Sequence, residues 1–205
     1  MTKVLILAAG KGERLRPLTN NIPKSLVLII GKTIIERQIS ILKKAGVSKI
    51  HIATGYLSNQ IKLLGYEVSV NQNYEKTNMV ESMFSAIEFF KKKEEDLLIS
   101  YGDIIYEYEN LNKVLSCEDE ISTMIDLNWK LLWTLRMKNP LKDAETLVLD
   151  QNKFIINIGK KTNNYNLIQG QYTGLIKIRA DKIIEVINFY YSLDRKKTYF
   201  GKKLE

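Results

Sequence analysis

The spacing of apolar residues along the chain switches between two periods. Residues 4–7 form a short unbroken apolar run, the mark of a strand buried on both faces. Residues 27–30 form a second run, closed by a turn at Gly31 and Lys32. Thr33-Ile34-Ile35-Glu36 has the spacing of a capping box, and Ile35, Ile39 and Leu42 then share one helical face up to Gly46. Residues 49–54 predict a strand, 58–64 a short helix and 67–71 another strand. Residues 79–92 predict one amphipathic helix with Met79, Met83, Ala86, Ile87 and Phe90 on its apolar side. Residues 97–100 read as a buried strand that runs into Tyr101-Gly102-Asp103, and 108–117 as a helix. Strands alternating with helices imply an α/β fold, a mixed and mainly parallel sheet with helices on both faces. After residue 119 the pattern turns to antiparallel strands at 121–127, 146–150, 154–158 and 172–178, with a last helix at 182–192. They predict an antiparallel extension on the substrate side. No linker, repeat or low-complexity stretch interrupts residues 1–205, which predicts one domain.

Composition narrows this picture. At 205 residues the chain can bury a core of its own. Its single cysteine, Cys117, excludes an internal disulfide framework and fits a reducing compartment. It reads as a small half-buried side chain on a helix. The first apolar run is too short for a signal peptide, and no segment approaches the roughly 18 apolar residues of a membrane span. A cytoplasmic protein without a membrane partner is expected. The net charge of +8 would draw in anionic substrates. The lysines are dispersed or set beside acids, as in Lys91-Lys92-Lys93-Glu94-Glu95, with no stripe interleaved with aromatics, so nucleic acid is not an expected partner.

The chemistry concentrates after the first strand, in Ala8-Ala9-Gly10-Lys11-Gly12-Glu13-Arg14-Leu15-Arg16-Pro17-Leu18-Thr19. Two glycines two apart give a tight turn with exposed backbone N–H groups, and two arginines add positive charge. Such a turn suits a polyphosphate. A P-loop is excluded because nothing matches G-x-x-x-x-G-K-[ST]. A dinucleotide fingerprint is excluded because its third glycine would fall on Leu15. Asp103 follows the end of a central strand, where open α/β sheets bind ligands, and Gly102 lets the backbone bend there. A carboxylate so placed can hold Mg²⁺ against phosphates. His51, the only histidine, lies mid-strand and reads as structural.

The stretch L-A-A-G-x-G-x-R-L-x-P-L-T, followed by Pro23-Lys24-Ser25-Leu26, resembles the signature of the nucleotidyltransferases that activate sugar phosphates and phosphocholine. The resemblance implies a Rossmann-like fold and the joining of an NTP to a phosphomonoester with release of pyrophosphate. It implies that Leu7, Ala8, Ala9, Gly10 and Gly12 wrap the nucleotide. Arg14 would contact the β- and γ-phosphates, and Lys24 the α-phosphate region. Gly102-Asp103 resembles the family's metal motif, making Asp103 the Mg²⁺ ligand. Gly55, Tyr56 and Asn78 are the candidates near the base. No general base is needed, because the attacking phosphomonoester oxygen is already anionic near pH 7.

Gly159-Lys160-Lys161 and Thr173-Gly174-Leu175 resemble the Glu-Lys-Pro and Thr-Gly-Leu segments of the sugar-phosphate members, which implies that Lys160 binds the acceptor phosphate. Gly159 and Lys161 depart from that pattern. The segment around Trp129 and Trp133, with Tyr74-Glu75-Lys76-Thr77-Asn78-Met79, is similar to the phosphocholine and related cytidylyltransferase branch. That implies CTP and a small phosphorylated amine, phosphonate or amino-acid phosphate as partners. Some members of the branch serve surface polysaccharide decoration. Trp129, Trp133, Tyr172 and Glu145 could form an aromatic box for an ammonium, or the two tryptophans could simply pack. Alternatives are a sugar-1-phosphate nucleotidyltransferase using UTP or dTTP, and a non-catalytic nucleotide-binding module. A homodimer is left open. The family pattern also has a second metal carboxylate on a strand well after Thr-Gly-Leu. No such aspartate follows here: Asp181 begins the last helix and Asp194 closes it. The expectation is either a chain lacking the family's C-terminal end or a half-built metal site, with Mg·CTP binding and slow or absent product formation.

Overall fold

The computed structural model describes residues 1–92 and 94–193. Its strands are β1 (Thr2–Ala8), β2 (Leu28–Ile29), β3 (Lys32–Thr33), β4 (Ile50–Thr54), β5 (Glu67–Val70), β6 (Asp96–Tyr101), β7 (Ile121–Asp126), β8 (Leu147–Leu149), β9 (Ile155–Ile158) and β10 (Gln171–Ile178). Its helices are α1 (Ile34–Lys44), α2 (Ser58–Lys62), α3 (Met79–Phe84), α4 (Ile87–Phe90), α5 (Tyr108–Leu115), α6 (Trp129–Arg136) and α7 (Ile183–Ser192). Contacts divide the described residues into two compact units, 1–122 with 174–193, and 123–173. The divisions fall inside β7 and β10, so no linker marks them in the sequence.

The main sheet has the order β5-β4-β1-β6-β10-β7. β1 pairs in parallel with β4, up to Ala8 opposite Thr54, and with β6, up to Leu7 opposite Tyr101. β10 runs antiparallel to β6. The three central parallel strands therefore end together, and the loops that leave them share one end of the sheet. β1 and β6 read as unbroken apolar runs because both faces are covered. Leu5, Leu97 and Ile99 pack against Met83, Phe84, Phe90, Ile183, Ile187 and Tyr190 from α3, α4 and α7. Val4, Ile6 and Leu98, one residue out of phase, face the opposite side and are buried as well. α1 lies on that side, since its Gln38 reaches Ser100 of β6.

α1 starts as its sequence predicts. Thr33 Oγ1 accepts from Glu36 N–H at 3.2 Å, and Glu36 Oε2 accepts from Thr33 N–H at 2.8 Å. Gly46, at φ 80°, ends it in the left-handed region that favours glycine. Residues 79–92 correct the expectation of one helix. α3 stops at Phe84, and α4 begins at Ile87. Ser85 Oγ donates to the Ser82 carbonyl at 2.7 Å, and Ala86 N–H bonds three residues back to Met83. A serine hydroxyl competing for backbone groups interrupts the helical ladder here. Met79, placed on the buried side by periodicity, is 42% exposed. Cys117 is half-buried and lies past the end of α5 rather than on it.

His51 is buried on β4 and stacks on Phe89 with ring centroids 4.8 Å apart. Burial holds its pKa below the ordinary histidine value of 6.5, with Glu67, 3.7 Å from Nδ1, offsetting part of that shift. Lys177 is also buried. It donates to the Leu115 and Cys117 carbonyls at 3.0 and 2.5 Å and pairs with Asp96 at 3.2 Å. A cation thus closes the C-terminal end of α5.

The second unit is built on the antiparallel β8–β9 hairpin and α6. Trp129, Ala144 and Ile168 form its core, with Trp133 and Leu141 packed against it. α6 was not anticipated. Its sequence Trp-Lys-Leu-Leu-Trp-Thr-Leu-Arg carries apolar residues all round, and Leu131, Leu132 and Leu135 are exposed, so no period stands out. Among the described residues no helix is long and apolar enough to cross a membrane.

Candidate active site

The glycine loop leaves β1 at Ala8, and Gly12 sits at φ 66°, a conformation costly for other residues. Gly12 also lies against the stem of Lys24. A Cβ there would come 2.9 Å from Lys24 Cβ and 3.1 Å from Thr19 Cγ2. Thr19, 1% exposed, donates through Oγ1 to the Gly12 carbonyl at 2.8 Å. Loop and lysine are thereby packed as one piece. Arg14 lies exposed on a short 3₁₀ turn, Glu13–Leu15.

Asp103 follows β6 through Gly102, whose N–H donates to the Leu7 carbonyl at 2.8 Å. A Cβ at Gly102 would stand 2.8 Å from that carbonyl oxygen and 3.0 Å from Ala8 Cβ. Glycine is required because the ends of β1 and β6 approach so closely. Lys24 and Asp103 meet as an ion pair, although 79 positions separate them.

Two adjoining cavities open around this pair. One of about 260 Å³ is lined by Leu7, Ala8, Ala9, Gly10, Asn78, Lys24 and Asp103 together with Tyr74, Thr77 and Ser82. The other, about 450 Å³, is lined by Gly10, Gly12, Arg14, Lys24 and Asp103 with Lys11 and Glu75. One cavity is walled by strand ends and apolar side chains, the other by the glycine loop and charge. That arrangement can hold a base and sugar in the first and a polyphosphate in the second. Asn78 caps α3, its Oδ1 accepting from Val80 N–H at 2.9 Å. Gly55 and Tyr56 line neither cavity. Tyr74 covers Gly55, where a Cβ would lie 2.6 Å from Tyr74 Cβ. The Tyr56 hydroxyl donates to the Asn20 carbonyl at 2.5 Å and so ties down the glycine loop's return.

Sequence reasoning quoted Tyr74, Glu75 and Thr77 for a family resemblance and Lys11 in the glycine loop but gave none of them a site role, and it did not pick out Ser82. Lys11 pairs with Glu75 at 2.7 Å, which lowers the pKa of the carboxyl and raises that of the amine. The turn-rich run Asn71-Gln72-Asn73-Tyr74 was the available signal: Asn71 Oδ1 accepts from Asn73 N–H at 2.9 Å and folds that loop.

The acceptor candidates belong to the second unit. Trp129 is 4% exposed and donates to the Ile168 carbonyl at 3.2 Å, so its ring is a core element and offers no open face. Trp133 donates to Asp143 at 3.1 Å, and the Arg136 guanidinium already lies 5.3 Å from its ring centroid. The packing alternative for the two tryptophans is the one this geometry favours. Glu145 and Lys160 are brought close through Thr146, whose N–H donates to the Lys160 carbonyl at 2.8 Å. Glu145 Oε2 lies 4.0 Å from the point where a Cβ at Gly159 would stand. Here, then, position 145 supplies a carboxylate beside the glycine at 159. Tyr172 is 37% exposed on β10. In the first unit, the glycine of Thr173-Gly174-Leu175 is explained by packing: at φ 89° it lies against the Tyr101 ring.

The family model described as nucleotidyl transferase matches residues 3–129, the segment that carries every cavity-lining residue above. The chain belongs to the nucleotidyl transferase family. This nucleotidyl transferase is 42% identical, over 98% of its length and 82% of the relative's, to the CTP:phosphoglutamine cytidylyltransferase of Campylobacter jejuni. It is 43% identical to the choline-phosphate cytidylyltransferase of Streptococcus pneumoniae over 40% of this chain and 38% of that one. In structure it resembles the inositol-1-phosphate CTP transferase of T. maritima, with a TM-score of 0.71 and 22% identity, over 95% of this chain and 77% of that one. It also resembles the CTP:phosphocholine cytidylyltransferase of S. pneumoniae, with a TM-score of 0.65 and 23% identity, over 92% and 75%. At such identities the structures share the Rossmann-like fold. The expected family and fold class are therefore borne out.

Proposed function

We propose that this enzyme transfers the cytidylyl group of CTP to a small phosphorylated acceptor, an amino-acid phosphate in the first place, and releases pyrophosphate. The observation that carries the reading is the meeting of Lys24 and Asp103 between the two cavities. The 42% identity to an enzyme named for CTP and phosphoglutamine supports the choice of substrates. An oxygen of the acceptor phosphate attacks the α-phosphorus, and the bond to the leaving pyrophosphate breaks with its electron pair. Lys24 and Arg14 supply positive charge as it shifts to the leaving group. The Asn78 carboxamide has the donor that cytosine O2 and N3 require. Lys160 receives the acceptor phosphate, and Glu145 an ammonium on the acceptor.

Asp103 offers one hard oxygen donor where the cavities join, and its carboxylate already attracts the Lys24 ammonium. Such a donor fits Mg²⁺ completed by phosphate oxygens and water. When bound there, the ion would screen charge on the phosphates. Among the described residues no group of three histidine, cysteine, aspartate or glutamate side chains gathers to hold a metal. Asp181 is engaged by Arg179 at 2.6 Å, and Asp194 lies outside the described residues. We place the reaction in the cytoplasm, in the supply of activated groups for surface polysaccharides. Sedimentation would read the homodimer left open by the sequence.

Pyrophosphate release over four NTPs, against phosphoglutamine, phosphocholine, 2-aminoethylphosphonate and glucose-1-phosphate, tests the reading. CTP with phosphoglutamine should turn over fastest. Preference for UTP or dTTP with the sugar phosphate would establish the sugar-activating alternative. Nucleotide binding without turnover on any acceptor would establish a binding module.

A further inference from the structure

We infer that Gln38 of α1 is the positioning residue for Asp103. The inference rests on the reading of Asp103 as the group that holds Mg·CTP. Gln38 is 1% exposed and is the one polar side chain among the buried residues of α1. Its Nε2 donates to the carbonyls of Tyr101 at 2.8 Å and Ile104 at 2.7 Å. Its Oε1 accepts from Ser100 Oγ at 3.0 Å. Both Nε2 partners are carbonyl oxygens, which only accept, so the orientation of the amide is fixed by chemistry.

The two carbonyls bracket Asp103. Between them lies the turn by which the chain leaves β6, which is tied to β1 through Gly102 N–H and the Leu7 carbonyl at 2.8 Å and is closed on itself only by a long Ile104 N–H to Tyr101 carbonyl contact of 3.5 Å. A carboxamide offers two donors and an acceptor in one rigid, uncharged plane. It can therefore hold both ends of this turn without placing a charge beside Asp103. Outer groups that orient a metal-binding carboxylate commonly matter 10–100-fold to metal affinity or activity. Gln38 touches neither cavity, so it acts through Asp103 rather than on substrate.

The test is calorimetric titration of CTP at a series of Mg²⁺ concentrations, with melting temperature and steady-state rates recorded alongside. Gln38→Met keeps the length of the side chain and removes both donors. It is expected to raise the Mg²⁺ concentration for half-maximal CTP binding by about tenfold and to lower kcat by at least as much. The KM of the acceptor should stay as in wild type. Leu42→Ala, on the same helix, should lower the melting temperature and leave the Mg²⁺ midpoint unmoved. A folded Gln38→Met enzyme with a wild-type midpoint and kcat would overturn the inference. So would a midpoint that shifts equally in Leu42→Ala. If Gln38→Met does not fold, Ser100→Ala loosens the amide from its other side. A raised midpoint there supports the inference, and an unchanged one overturns it. Asp103→Asn separates the two levels. If it leaves the Mg²⁺ dependence of CTP binding intact, the reading of Asp103 fails and the inference with it. If it abolishes that dependence while Gln38→Met does not disturb it, the inference alone fails.

Discussion

Lys24 and Asp103 neutralise each other where two cavities adjoin, one on the 3₁₀ turn Lys24–Leu26 and the other past the end of β6. The pair holds an ammonium and a carboxylate ready in the place where a triphosphate would separate them. On the proposed reading, a bound nucleotide would exchange this internal partner of Lys24 for its own oxygens.

Lys24→Ala is expected to cost roughly 10²–10³-fold in kcat, the size of losing one group aimed at developing charge. Lys24→Arg should not restore the rate, because a planar fork does not reproduce the compact point charge that meets Asp103. Pyrophosphate release measures both. Wild-type turnover in Lys24→Ala would remove the lysine from the reaction.

Gly10 and Gly102 should respond differently to the same methyl group. At Gly102 an added Cβ meets the Leu7 carbonyl and Ala8, so Gly102→Ala should lose about 1–3 kcal/mol of stability along with CTP binding. At Gly10 nothing lies within 4 Å, and the residue lines both cavities. Gly10→Ala should therefore melt like wild type and still bind CTP less well. Parallel melting and CTP titration of the two variants would distinguish a packing glycine from a ligand-facing one.

The pH dependence of stability has a sign fixed by His51. Its pKa in the folded protein is lowered by burial, so the unfolded chain takes up the proton first. Stability is full above about pH 6.5 and falls as pH drops from there toward the folded value. Phe89 and Glu67 are the groups that face the ring. His51→Phe should flatten the decline in melting temperature between pH 7.5 and pH 5. An unchanged slope would show that other groups set it.

Lys160 and Trp129 separate acceptor recognition from packing. Lys160→Ala should raise the acceptor KM about 10–100-fold, the worth of a charge-assisted hydrogen bond, and leave CTP affinity alone. Trp129→Ala should instead cost roughly 3–5 kcal/mol of stability, because the ring fills a core. A selective acceptor defect in a stable Trp129→Ala protein would restore the aromatic box.

The nucleotide side of the site was legible because its chemistry is local. The loop Gly10-Lys11-Gly12 and Gly102-Asp103 each follow a strand end, and a parallel sheet brings strand ends together whatever else the chain does, while Lys24 joins them from a short 3₁₀ turn by resting its stem on Gly12. The capping box at Thr33 and Glu36 was legible for the same reason. Less legible were features that depend on contacts between distant segments. Gly55 looked like a ligand-facing glycine, yet what it accommodates is the Tyr74 side chain. The break between α3 and α4 comes from Ser85 and Ser82, whose hydroxyl and carbonyl leave the apolar period intact. α6 carried no contrast between faces to detect. The two-unit division cuts strands rather than loops, so composition does not change where it falls.

Gly12 bears on how this sequence can vary. Its missing Cβ is the space in which the Lys24 stem rests. A substitution at position 12 forces the lysine aside, and a bulkier stem at position 24 forces the loop open. With position 12 held at φ 66° as well, a change at 24 cannot make room for a side chain at 12, and a library randomised at both should return Gly12 and Lys24 together.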